Sequence, residues 1–216
     1  YPHRQEDALV YNKAGFIWNH ALSFGKTVKV YGEACETQYN KKLKWADLYK
    51  QYTSGIAPNW VNTTTIDNLN PIIHPTFPDC DNIAFSDQHR ADLFLQDWEA
   101  MEQKDSLPNL MVLSLPNDHS AGTSPDFPTP NAMVADNDLA LGRTLHFLSR
   151  TPYWKNMLVI VTEDDPQGGV DHIDAHRSIL LMAGPYVKRN YVSHTHANFG
   201  SILKVIYNLL NINYVN

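Results

Sequence analysis

Short runs of strand-forming residues separated by helical patterns constrain this chain most. Residues 26–31 alternate like a strand, and 109–115, 157–161 and 178–183 are apolar runs too short for a helix. Between them stand longer stretches with apolar residues at helical spacing. Residues 8–24 carry Leu9, Ala14, Ile17, Trp18, Ala21 and Leu22, and Gly25 closes that helix. Residues 87–101 place Leu93, Phe94, Trp98 and Met101 on one face. Thr129-Pro130 starts a helix that runs to Ser149, with Met133, Val134, Leu141, Leu145 and Leu148 inward. A closing helix over 201–210 has Ile202, Val205, Ile206 and Leu209 as its buried stripe. Strands joined through helices of this length imply parallel βαβ crossovers and a sheet covered on both faces, an α/β fold. The strand at 178–183 has no helix before it, so it is free to run antiparallel.

The chain has 216 residues, 43% of them hydrophobic, enough for a single domain over 1–216 with a sizeable core. Within it, 45–85 is rich in Thr, Asn, Pro and Asp; beyond a short helix at 43–52 it reads as an irregular excursion. So long a loop usually serves a binding site or a neighbouring segment. Net charge is −6 with no block of Lys or Arg, which argues against a nucleic-acid partner. A phosphorylated substrate stays compatible, because bound metal ions supply positive charge locally. No apolar run approaches the ~20 residues of a membrane span. The first residues show neither an initiator Met nor a signal peptide, so the chain is expected to start inside a longer product. Cys35 and Cys80 are the only cysteines, and their spacing is compatible with two free thiols or with a disulfide.

In parallel α/β sheets, ligands bind outside the carboxyl ends of the strands. Three such ends carry polar chemistry here: Gly32-Glu33, Asn117-Asp118-His119 and Glu163-Asp164-Asp165. Adjacent carboxylates at a strand tip repel, and a divalent cation relieves this while using both, which makes Asp164 and Asp165 candidate metal ligands. Oxygen and nitrogen donors suit zinc, manganese, magnesium or calcium. Pro166 and Gly168-Gly169 then force a turn, followed by Asp171, His172, Asp174, His176 and Arg177. His172 and His176 stand four apart, and a helical segment would put both imidazoles on one side. Arg177 suits a phosphoryl oxygen or a neighbouring carboxylate. Asp118 and His119 read either as a turn former or as site residues, and His194 and His196 either as a polar helix start beside Asn198 or as functional residues. There is no Gly-x-Ser-x-Gly elbow, dinucleotide fingerprint or phosphate loop.

The combination of Leu115-Pro-Asn-Asp-His119, Ala121-Gly-Thr123, Ala135-Asp-Asn-Asp138, Glu163-Asp-Asp165 and Asp171-His-Ile-Asp-Ala-His-Arg177 resembles the bacterial phosphoesterase family. That family holds phospholipase C-like and acid-phosphatase-like enzymes within the alkaline phosphatase superfamily. The resemblance runs from about Gly15 to the carboxyl terminus. It implies an αβα sandwich with a mostly parallel central sheet and hydrolysis of phosphoesters with one or two divalent metal ions. It assigns metal binding to Asp164 and Asp165, and catalytic roles to Asp118, His119, His172, His176 and Arg177. The substrate would be a phosphorylated small molecule or a phospholipid head group, and the location periplasmic or secreted. The family's amino-terminal Glu-Asn pair and nucleophile segment have no counterpart in these residues. The resemblance therefore implies that this is the carboxyl-terminal portion of an enzyme, a fold incomplete at its amino terminus. The nucleophile would lie upstream, on a missing amino-terminal segment of the same protein, and the chain alone would be inactive. The rival reading is a non-catalytic module in which a metal is structural and the excursion recognises a glycan or protein.

Overall fold

The computed structural model describes residues 12, 15–164, 166 and 177–214. It is a mixed α/β structure whose organising element is a parallel pair, β1 (Val28–Tyr31) and β4 (Leu110–Leu113), in register from Val28 opposite Leu110 to Tyr31 opposite Leu113. Between them in sequence come β2 (Glu36–Gln38), α2 (Trp45–Thr53), β3 (Val61–Thr63) and α3 (Asp87–Gln103). β2 and β3 form a separate antiparallel pair. On its other edge β1 bridges Ile73 in parallel, with Val30 N–H donating to Ile72 O and His74 N–H to Val30 O, both 2.8 Å.

The two-residue period of β1 sends its side chains to two cores. Val28 and Val30 pack with Trp18 and Ala21 of α1 (Ile17–Ser23) and with Ile66, Leu69 and Ile73; Tyr207 of α5 (Phe199–Leu209) joins them. Tyr31 faces the other way, onto Leu93, Phe94 and Trp98 of α3 and Leu148 of α4 (Pro130–Leu148), where Met111 and Leu113 of β4 also pack. Helices thus cover both faces of the parallel pair. The helix starts follow local chemistry: Ser86 Oγ accepts from Gln88 N–H at 3.1 Å, and Thr129 Oγ1 from Ala132 N–H at 3.3 Å ahead of Pro130.

The irregular excursion at 45–85 contributes to the core: Ile66, Leu69, Ile73 and Phe77 are buried, and Leu48, Trp60, Ala84 and Phe85 form a third core cluster. Against expectation, the run at 157–161 does not join the parallel pair among the described residues. Its strand, β5 (Val159–Thr162), pairs antiparallel with β6 (Leu180–Ala183), Val159 opposite Ala183. A partner so near in sequence costs less closure entropy than a distant one. Gly184 lets the two ends close, because a Cβ there would stand 2.7 Å from Met157 O. β5 is also only half-buried rather than the buried strand that the run at 157–161 suggests, and its partner β6 exposes Leu180, Leu181 and Met182. Finally, the stripe on α5 is partly open, with Leu209 63% exposed and no residue of that helix fully buried. The first helix begins at Ile17 with Phe16 as its extended cap, so the helix expected over 8–24 does not hold at Asn12, Gly15 and Phe16; the other residues before it lie outside the described ones. Among the described residues, no helix is long and apolar enough to cross a membrane.

Candidate functional site at the strand ends

Gly32 turns the chain sharply at the end of β1. Its φ is 90°, and a Cβ would come to 3.0 Å from Pro78 O and 3.1 Å from the Phe77 ring. The next residue, Glu33, is directed inward against the end of β4. Ser114 continues that strand, donating its N–H to Tyr31 O at 3.0 Å and its hydroxyl to Glu33 Oε1 at 2.6 Å. Burial pushes the Glu33 carboxyl up. Hydrogen bonds from Ser114 and the Cys80 thiol pull the other way, and the charges of Asp81 and Asp164 add to the rise.

After β4 the chain makes a single 3₁₀ turn, Asn117–His119. Asp118 on this turn is half-buried, and desolvation raises its carboxyl above the ordinary range. Its own N–H and that of His119 oppose the rise, while Asp164 reinforces it. Glu163, just past β5, is raised by burial and then by Asp118 and Asp164. Asp164 thus acts on Glu33, Asp118 and Glu163 alike, and Asp118 acts on Glu163, which links the polar ends of β1, β4 and β5 electrostatically. This link exists although β5 is not hydrogen-bonded to the parallel pair.

The turn that carries Asp118 is held by a buried polar network invisible in the apolar periodicity. Asn117 N–H donates to Asp87 Oδ2 at 3.0 Å, and Asn117 Nδ2 donates to Phe85 O at 3.1 Å and Asp136 Oδ2 at 2.8 Å. Asn137 Nδ2 donates to Asp87 Oδ2 at 3.1 Å and reaches Asp118 Oδ1 at 3.5 Å. Arg90, wholly buried, donates to Asp87 Oδ1 at 3.0 Å and to the carbonyls of Phe85, Asp79, Asn82 and Pro78. Asp87 is raised by burial and lowered by Arg90. The sequence signal for this network was the polar pair Asp136-Asn137 in line with Met133, Ala140 and Thr144 on the inner face of α4.

The other expected site residues fall variously. His119 is exposed, its Nδ1 3.1 Å from Ser120 O. Arg177 is exposed just ahead of β6. Asp165, His172 and His176, with Asp171 and Asp174, lie outside the described residues. His194 and His196 are exposed and precede α5 rather than begin it; Asn198 caps that helix, accepting from Ser201 N–H at 3.0 Å.

For a metal, the donors at the rim are of the right kind. Carboxylates that raise one another's proton affinity gain when a cation replaces the proton. Among the described residues, however, no three His, Cys, Asp or Glu side chains stand together closely enough to hold an ion by themselves. Comparison with protein-family models, curated proteins and solved structures found no match.

Proposed function

We propose that this chain belongs to a metal-dependent phosphoester hydrolase, of the phosphatase or phospholipase C-like kind, with the αβα architecture of the alkaline phosphatase superfamily. The observation that carries the reading is the gathering of Glu33, Asp118, Glu163 and Asp164 from three strand ends. Three of these, Asp118, Glu163 and Asp164, sit in the motifs on which the family resemblance rests. A phosphoryl group brings negative charge that such a rim repels unless cations intervene. In this reading Asp164 and Asp165 hold one or two divalent ions. Bound there, an ion polarises the phosphoryl oxygens and lowers the pKa of an attacking hydroxyl.

The chain's own residues then have separate tasks. Asp118, fixed through Asn117 and Asn137, faces the same cluster and sets its charge. His119, exposed on the turn, is free to approach a leaving group. Arg177, with His172 and His176, is assigned to the phosphoryl oxygens and the further ion shell. The reacting hydroxyl is taken from outside these residues, as the resemblance implies, and the setting from it as well: periplasmic or secreted.

The test joins binding to turnover. The protein is titrated with zinc, manganese, magnesium and calcium while thermal unfolding is followed, then assayed on an aryl phosphate together with the upstream segment of its gene. At least one ion should raise the melting temperature, and Asp164→Asn should abolish both that rise and hydrolysis. No ion-dependent stabilisation, or activity indifferent to Asp164, sinks the reading.

A further inference from the structure

Cys35 and Cys80 have no role in the proposed phosphoester chemistry, yet the fold ties the backbone on either side of Cys35 to residues 79–80. The stretch that leaves β1 is fastened to residues 79–80 at both its ends. Cys80 N–H donates to Gly32 O at 2.9 Å. Thr37 N–H donates to Asp79 Oδ2, and Asp79 N–H donates back to Thr37 Oγ1, both at 2.8 Å and both buried. Cys35 lies between these anchors, just after Ala34 turns the chain with a φ of 58°. Cys35 is buried, Cys80 is half-buried, and both are free thiols. Each is surrounded by the carboxylates of Glu33, Asp79 and Asp81, and Cys35 is itself among the groups acting on Cys80.

We propose that Cys35 and Cys80 form an intramolecular disulfide pair that tethers the 36–79 excursion to the end of β1. The reaction is thiol–disulfide exchange with an external disulfide of the glutathione class. One cysteine thiolate attacks that disulfide, forms a mixed disulfide and releases one external thiolate. The second cysteine then attacks the protein sulfur of the mixed disulfide and releases the other. The two cysteine sulfurs lose two electrons, the external disulfide gains them, and the two thiol protons leave on the released thiols. Burial and the surrounding carboxylates keep both cysteines protonated in the folded state. Exchange is therefore slow once folding is complete and fast while the excursion is still docking. Closure also removes one of the two side-chain donors to Glu33, leaving Ser114 in place. The redox state of the pair thus reaches the carboxylate rim.

The experiment is refolding of the denatured, reduced protein in glutathione buffers that run from reducing to oxidising, followed by acid quench, alkylation and peptide mass mapping. At the oxidising end the monomer should be lighter by two hydrogens, and the peptide containing Cys35 should be linked to the one containing Cys80. Two alkylatable thiols, separate glutathione adducts on the two cysteines, or a disulfide between two copies of the chain would each overturn the pairing. The assignment stands apart from the phosphoesterase reading, because the linkage is read by mass and not by activity.

Discussion

The Ser114 hydroxyl donates to Glu33 Oε1 at 2.6 Å, joining the residue that follows β4 to the carboxylate that follows β1. A buried carboxylate is costly without donors, and here the donor comes from the neighbouring parallel strand. The bond therefore couples the register of the pair to the geometry of the rim.

Replacing Ser114 by Ala should destabilise the fold by about 1–3 kcal/mol, the usual cost of leaving a buried acceptor short of a partner. It should also push the Glu33 carboxyl further up. Urea unfolding at neutral pH measures the first effect, and carboxyl titration by NMR the second. An unchanged Glu33 titration would mean that the hydrogen bond is not formed in solution.

Glu33, Asp118 and Glu163 are all raised above their ordinary values. The folded protein then binds protons more tightly at these groups than the unfolded chain does. Their contribution is fully present below the unfolded values, 4.5 for Glu and 3.8 for Asp, and is lost as pH rises through the folded ones. Glu163→Gln removes one of the repelling charges, so it should stabilise the metal-free protein at neutral pH and flatten the decline with rising pH. Denaturation curves across the acidic range check this, and a destabilised variant at neutral pH contradicts it.

His89 acts in the opposite direction. Burial, then the charge of Arg90, pushes it down from 6.5 to about 4, with Asp92 opposing. It is stacked on Tyr52 at 4.7 Å between ring centroids. A base depressed in the folded state contributes stability that is present above 6.5 and lost as pH falls toward about 4. Each such group contributes a slope of at most ~1.4 kcal/mol per pH unit. His89→Gln should lower that slope in the same window, and a variant with the parent's slope rules out His89 as the source.

Arg90 is the most demanding single position. Replacing it with Met leaves the Asp87 carboxylate and four carbonyls without their buried donor, and should cost about 3–5 kcal/mol. The midpoint of chemical denaturation gives the measure. A loss under 1 kcal/mol would show that water replaces the guanidinium.

Much of the frame was legible because regular elements print their period on the sequence. Leu93, Phe94 and Trp98 on α3, and Met133 and Leu148 on α4, read correctly as inward. Val134, also read as inward, is exposed, because Ala140 and Thr144 take the inner stripe four residues apart. The polar tips of 26–31, 109–115 and 157–161 were legible as charged strand ends, since charged groups collect where strands stop.

What stayed hidden depends on partners that no local pattern names. An apolar run such as 157–161 shows that a strand forms but not which strand it pairs with, and here the short route to β6 prevailed. Arg90 and Asp87 look like an ordinary exposed i, i+3 pair, yet both are fully buried, because carbonyls from residues 78–85 happen to surround the guanidinium. The sequence by itself determined which segments become helix or strand and which ends carry charge, because those properties come from residues a few positions apart. Only the tertiary structure decided which strands pair and which polar side chains are sealed inside. Those outcomes are set by contacts between residues distant in the chain, where burial and hydrogen bonding outweigh local preference.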